Sequence, residues 1–172
     1  MIWKVLIVCL AGIISACAPV ISQKTMDIAD KSISFSALQE NPDNFKGKTV
    51  ILGGQIITTT VKENETWIEV LQKPLDSRQK PLNTDKSLGR FLARFRGFLD
   101  PSIYASGRKL TVAGIVEGKI IKPLKELNYT YPVLFVQEYY LWKPDDAYIA
   151  PRFGVGIGVG TGSYGGGMGM GF

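Results

Sequence analysis

The run from Thr49 to Val61 constrains the fold of this chain more than any other stretch: it is rich in β-branched residues and is interrupted by Gly53-Gly54. Branching at Cβ suits a pleated, half-buried strand. Two adjacent glycines inside such a strand predict a bulge or a sharp bend. The polar stretch Lys62 to Glu65 then turns the chain back into Thr66–Leu71, so the two strands read as a hairpin, followed by a polar loop from Gln72 to Leu88 that contains Pro74 and Pro81.

A third strand, Gly89 to Gly97, alternates strongly, with Arg90, Arg94 and Arg96 on one face and Phe91, Ala93 and Phe95 on the other. Period-two alternation of this kind gives a strand with a dry side and a basic side. Asp100-Pro101 supplies an N-cap and a proline at the first helical position, and Gly107 a stop, which predicts one short helix. Lys109–Val116 is the fourth strand with a kink at Gly114, residues 118–131 are a loop, and Pro132–Trp142 is the fifth strand. Upstream, Ser36 with Gln39 three residues on forms a capping box for another short helix that Asn41-Pro42 ends. Three strands, a short helix and two strands, with a bend in the first, is the element order of the OB-fold, an all-β, five-stranded Greek-key barrel. An antiparallel sandwich has a similar strand count; the helix between the third and fourth strands favours the barrel.

Before all of this lies a short start with Lys4, an uncharged apolar run from Val5 to Ile14, and then Ser15-Ala16-Cys17. That layout is a secretory signal, and its apolar run is too short to span a bilayer. Small residues just before a cysteine resemble the bacterial lipobox, whose cysteine is diacylglycerylated and becomes the first mature residue. On that resemblance Cys17 is the lipidation site, and 156 of the 172 residues remain after cleavage, enough for one domain and a tail. Ala18 follows where an aspartate would favour retention in the inner membrane, so by the same resemblance the destination is the outer membrane.

Composition removes several kinds of chemistry. There is no histidine, and the two cysteines, Cys9 and Cys17, sit in or at the end of the signal. Serine–histidine and cysteine–histidine nucleophile pairs and the usual imidazole–thiolate zinc sites are therefore excluded, as is an intrachain disulfide once Cys17 is acylated. Carboxylate chemistry stays open, but there is no clustered acidic metal-binding spacing, so neither a metal nor another cofactor is expected. Lysine and arginine total 20 against 15 acidic residues, a mild excess that helps a protein approach anionic headgroups but is as often a solubility property.

The chain resembles the Slp family of outer-membrane lipoproteins, named for a starvation-inducible member. The matching pieces, besides the lipobox, are Asn41-Pro42, Gly47-Lys48, Gly53-Gly54-Gln55-Ile56 and Pro74-Leu75-Asp76. They continue with Gly89-Arg90-Phe91-Leu92-Ala93-Arg94, Gly97-Phe98-Leu99-Asp100-Pro101 with Tyr104, Leu110–Gly114, and Tyr131-Pro132-Val133-Leu134 through Leu141-Trp142. The resemblance spans residues 35 to 142. It implies a lipid-anchored outer-membrane protein with no established enzyme activity and no catalytic residues to carry over.

OB-folds bind ligands on the face around strands two and three and in the loops joining strands one to two and four to five. In this chain those positions hold Arg90, Arg94 and Arg96, then Glu63 to Glu65, and Asn128, Tyr129 and Tyr131. They make a possible ligand-binding set for an anionic lipid, a glycan or an envelope protein, on which charge reversal at Arg94 should abolish binding without unfolding the domain. The competing reading is a solvated or structurally paired face. Arginines beside aromatics also resemble a nucleic-acid platform, but an exported protein seldom meets nucleic acid. A carboxylate-dependent enzyme would need Glu69, Asp76 or Asp100 to share a pocket. The tail holds Gly160-Thr161-Gly162-Ser163-Tyr164-Gly165, which fits a dinucleotide-binding pattern but lacks the flanking strand and helix.

The expectation from sequence is thus a signal peptide over 1–16, a lipidated tether over 17–34, an OB-like barrel over 35–144 and a flexible Gly-rich tail over 145–172. Its function is that of a non-enzymatic structural or interaction module on the periplasmic side of the outer membrane.

Overall fold

A computed structural model describes residues 19–144. The signal peptide, Cys17 and the Gly-rich tail from 145 onward lie outside the described residues. Two short helices, α1 (Gln23–Ile28) and α2 (Phe35–Glu40), and a 3-10 turn over Pro42–Phe45 precede five strands. These are β1 (Thr49–Val61), β2 (Glu65–Gln72), β3 (Arg90–Arg96), β4 (Lys109–Leu124) and β5 (Leu127–Leu141). The strands close into a barrel in the order β1-β2-β3-β5-β4, with β4 returning to β1. Only β3 and β5 run parallel, joined through Leu92↔Val133, Ala93↔Leu134 and Arg94↔Phe135. This is the five-stranded Greek-key barrel that the element order predicts.

The first strand matches its predicted bounds, and its glycines serve a bend by close approach. Thr49–Gln55 pairs with β4, whereas Gly54–Val61 pairs with β2, so the strand changes partner at Gly53–Gln55. A Cβ on Gly54 would run into the Leu71 carbonyl and come within 2.8 Å of a Val70 methyl. The shift in register lies further on, between Ile56 and Thr58.

The interior is one cluster that includes Val50, Ile56, Ile68, Val70, Phe91, Phe95, Leu110, Val112 and Leu134, all buried. Helix α2 adds Phe35 and Leu38 to it, with Phe35 edge-on to Phe91 at 6.2 Å between ring centroids. Its cap is Ser34, whose Oγ accepts from the Ala37 backbone N–H at 3.2 Å; Ser36, the capping residue expected from sequence, lies inside the helix. Gln39 reaches across to the Thr130 carbonyl instead of back to a cap.

Three further expectations are corrected. The segment from Asp100 to Gly107 is two successive turns and not a helix: the amides of Ile103 and Tyr104 both donate to the Asp100 carbonyl, and that of Arg108 donates to the Ala105 carbonyl. The stretch 118–131 is not a loop: β4 and β5 continue as a hairpin to Leu124↔Leu127, turning at Lys125 with φ +57°. Tyr129 and Tyr131 therefore sit on a strand. Finally, residues 19–34 do not hang free. Ile21 is fully buried, its amide donating to Gln79 Oε1 at 3.1 Å, and helix α1 follows, capped by Ser22. The sequence shows no regular apolar period here because a six-residue helix with no buried residue of its own has too few positions to display one.

Candidate functional site

Strands β2 and β3 run antiparallel with Glu65 opposite Arg96, Trp67 opposite Arg94 and Glu69 opposite Leu92. Opposite residues share a face, so both glutamates stand on the outer face with the arginines. Each then reaches diagonally. Arg90 donates to Glu69 Oε1 at 2.7 Å, and Arg94 donates through Nη1 to Glu65 Oε2 at 3.1 Å.

Arg94 makes a second and tighter pair. Its Nε donates to Glu117 Oε2 at 2.8 Å while Nη2 donates to Oε1 of the same carboxylate, the two-pronged geometry that only a guanidinium offers. Glu117 reaches it because β4 bulges there: pairing with β5 passes from Val116↔Leu134 to Gly118↔Val133, leaving Glu117 as the extra residue. The Arg94 guanidinium also lies 4.6 Å from the Phe135 ring centroid, and that of Arg96 5.7 Å. The hydrogen bonds that Arg94 donates to Glu117, ahead of the one to Glu65, hold its guanidinium charged well beyond its ordinary range. Glu65 is held below the ordinary glutamate range, first by the Trp67 indole N–H, which donates at 2.6 Å, and then by Arg94.

The tyrosines are committed in the same way. Tyr129 Oη accepts from the Arg90 backbone N–H at 2.8 Å, and Tyr131 Oη donates to Glu69 Oε1 at 3.2 Å. Burial raises the Tyr131 hydroxyl above its usual range, and the Glu69 charge adds to that. Tyr131 packs with Leu92 and Val133 in a second small buried cluster, bordered by Trp67, Ile120 and Tyr129. The basic side of β3 is therefore not a row of free cations. The structure does bring Arg90, Arg94, Tyr129 and Tyr131 together, but around Glu65, Glu69 and Glu117; Arg96 is the one left exposed.

The pairing glutamates had a signal in the sequence. Glu65, Trp67 and Glu69 alternate on β2 as the arginines do on β3, and placing the two strands side by side brings acid against base. Glu117 had none, because a bulge decides where it points.

Glu69, Asp76 and Asp100 do not form a shared acid–base site. Glu69 belongs to the Arg90 pair; Asp76 accepts from the Arg78 and Lys80 amides, and Asp100 from the Ser102 amide, each ordering its own turn.

A model of the outer membrane lipoprotein Slp family matches residues 14–158 of this chain, from the run before Cys17 to beyond the last strand. The chain belongs to the Slp family. The Slp family assignment makes it an outer-membrane lipoprotein, as the lipobox resemblance predicts. Among curated relatives, an uncharacterized protein of Haemophilus influenzae is 40% identical over 105 residues, covering 60% of this chain and 57% of that protein. Outer membrane protein Slp of Escherichia coli is 29% identical over 138 residues, 80% of this chain and 73% of the relative. The uncharacterized lipoprotein YeaY of Escherichia coli is 29% identical over 110 residues, 64% of this chain and 56% of that protein. The match to the first of these thus spans little more than half the relative's length.

Proposed function

We propose that this Slp-family protein is held to the outer membrane by an acylated Cys17 and acts there, on the periplasmic side, as a non-enzymatic interaction module. The observation that carries this reading is the seating of Ile21 and Ser22 on the barrel, only four and five residues after Cys17. Four residues of extended chain reach about 14 Å, so an anchor at Cys17 keeps the barrel against the headgroups instead of on a long leash. The commitment of Glu69, Asp76 and Asp100 to local structure supports a role without catalysis.

Binding of an anionic lipid or glycan through β3 is the weaker reading, because Arg90 and Arg94 already face carboxylates.

Intact mass and membrane fractionation of the wild type beside Cys17→Ser, in a diderm host, test the anchor. Cleavage before Cys17 with added acyl chains, and loss of outer-membrane sedimentation in the variant, are the expected results. An unacylated wild type that stays soluble overturns the proposal. Protease added to intact cells should leave the barrel untouched; digestion from outside would place it on the exterior.

A further inference from the structure

Where β1 changes partner, a cleft of about 660 Å³ opens between the end of β2, the loop over 82–85 and the turn leading into β4. That volume lies in the range of small-molecule sites. None of its lining residues belongs to the β1–β2 or β4–β5 turns, where ligand binding is expected for this barrel type.

The lining is basic. Lys73, Arg108 and Lys143 line it beside a single acid, Asp85, even with the fourth base, Lys109, set aside. Two of these cations differ in kind from those of β3. Lys73 is 8% exposed, and its Nζ donates to the Thr84 carbonyl at 2.7 Å. Arg108 donates from Nε and Nη2 to the Trp142 carbonyl, at 3.2 and 2.7 Å, and from Nη1 to the Ile103 carbonyl at 3.1 Å. Carbonyls orient both groups without cancelling their charge, whereas Arg90 and Arg94 are neutralised by glutamates. A buried ammonium without a counter-charge is costly to hold, and an anion entering the cleft would relieve that cost.

We propose that this cleft binds a phosphate-bearing ligand. Three cationic residues lining one space suit a group carrying more than one negative charge better than a single carboxylate. The amide of Gln55 and the hydroxyl of Ser106, also in the lining, suit the hydroxyl or ester oxygens beside such a phosphate. The same chemistry belongs to a soluble phosphate compound and to a phospholipid headgroup.

The test uses the full acylated chain in non-ionic detergent, titrated with pyrophosphate and, separately, with short-chain phosphatidylglycerol below its micelle concentration, and read by amide chemical shifts. Saturable shifts at Lys73 and Gly107 are expected. Lys143→Glu, an exposed substitution that leaves the fold intact, should weaken binding about tenfold, and Arg108→Gln should weaken it as well. Lys31→Glu makes the same change of net charge outside the cleft and should leave affinity unaltered. Binding of pyrophosphate alone points to a soluble ligand and binding of both probes to a headgroup; either supports the site. No saturable shift with either probe, or equal weakening by Lys31→Glu, overturns it.

Discussion

Glu138 on β5 accepts two hydrogen bonds from Ser22, one from its backbone N–H at 2.7 Å and one from its hydroxyl at 2.8 Å, across 116 residues of sequence. Ser22 is also the N-cap of α1, so one carboxylate fixes both the entry of the chain and the start of the first helix. Glu138→Ala should raise hydrogen exchange through 21–28 and lower stability by about 1 to 2 kcal/mol in urea unfolding; unchanged exchange there would show that Ile21 alone holds the segment.

The same contact carries a pH dependence. Burial pushes the Glu138 carboxyl upward, but the hydrogen bonds from Thr25 and Ser22 outweigh it and leave the group below its ordinary range. A carboxyl lowered on folding adds stability that is fully present above its unfolded value and is lost as pH falls through its folded value. Exchange in α1 should therefore rise below about pH 4, near the ordinary carboxylate range, and the acid effect should vanish in Glu138→Gln.

Arg94 and Arg96 are two residues apart on one strand face, yet they should respond differently to charge reversal. Arg94→Glu sets a third acid against Glu65 and Glu117 and should cost about 2 to 4 kcal/mol; this replaces the expectation that the change would spare the fold. Arg96→Glu, on an exposed side chain opposite Glu65, should cost less, about 1 kcal/mol at most. Chemical denaturation of the two variants side by side decides it, and equal costs would sink the pairing argument.

Gly54→Ala should destabilise by about 3 kcal/mol or more, since backbone lies in the way of the added methyl. Gly47→Ala meets nothing within 4 Å and carries only the strain of φ +81°, about 1 kcal/mol. A comparable loss at both positions would mean that conformation, not close approach, explains the first.

Trp67 and Glu65 supply an optical readout. The indole N–H donates to a carboxylate held below its ordinary range, so indole fluorescence should titrate at a pH lower than an ordinary glutamate, and Glu65→Gln should remove the transition.

Much of the barrel was legible because strands advertise themselves locally. The β-branched run at Thr49–Val61 and the Arg/Phe alternation of Arg90–Arg96 each declare a pleated strand through neighbours two residues apart. Termination was harder to read. β4 and β5 extend past Val116 and begin before Pro132 because each lends the other its hydrogen-bond partners, a condition no local pattern records. The predicted helix at Asp100–Gly107 failed for a related reason: cap, proline and glycine were all present, but a stretch this short forms only the turns that its neighbours allow.

From sequence alone came the class of the domain, the lipobox before it and the exclusion of histidine and thiol chemistry, since these rest on residue identity and on spacing along the chain. Tertiary structure alone decided which charges are cancelled. Closing the barrel set Glu65, Glu69 and Glu117 against Arg90 and Arg94, whereas the bend at Gly53–Gln55 gathered Lys73 and Arg108 where backbone carbonyls accept from them. Electrostatic pairing depends on distance in space, and residues far apart in sequence acquire that distance only when the sheet closes.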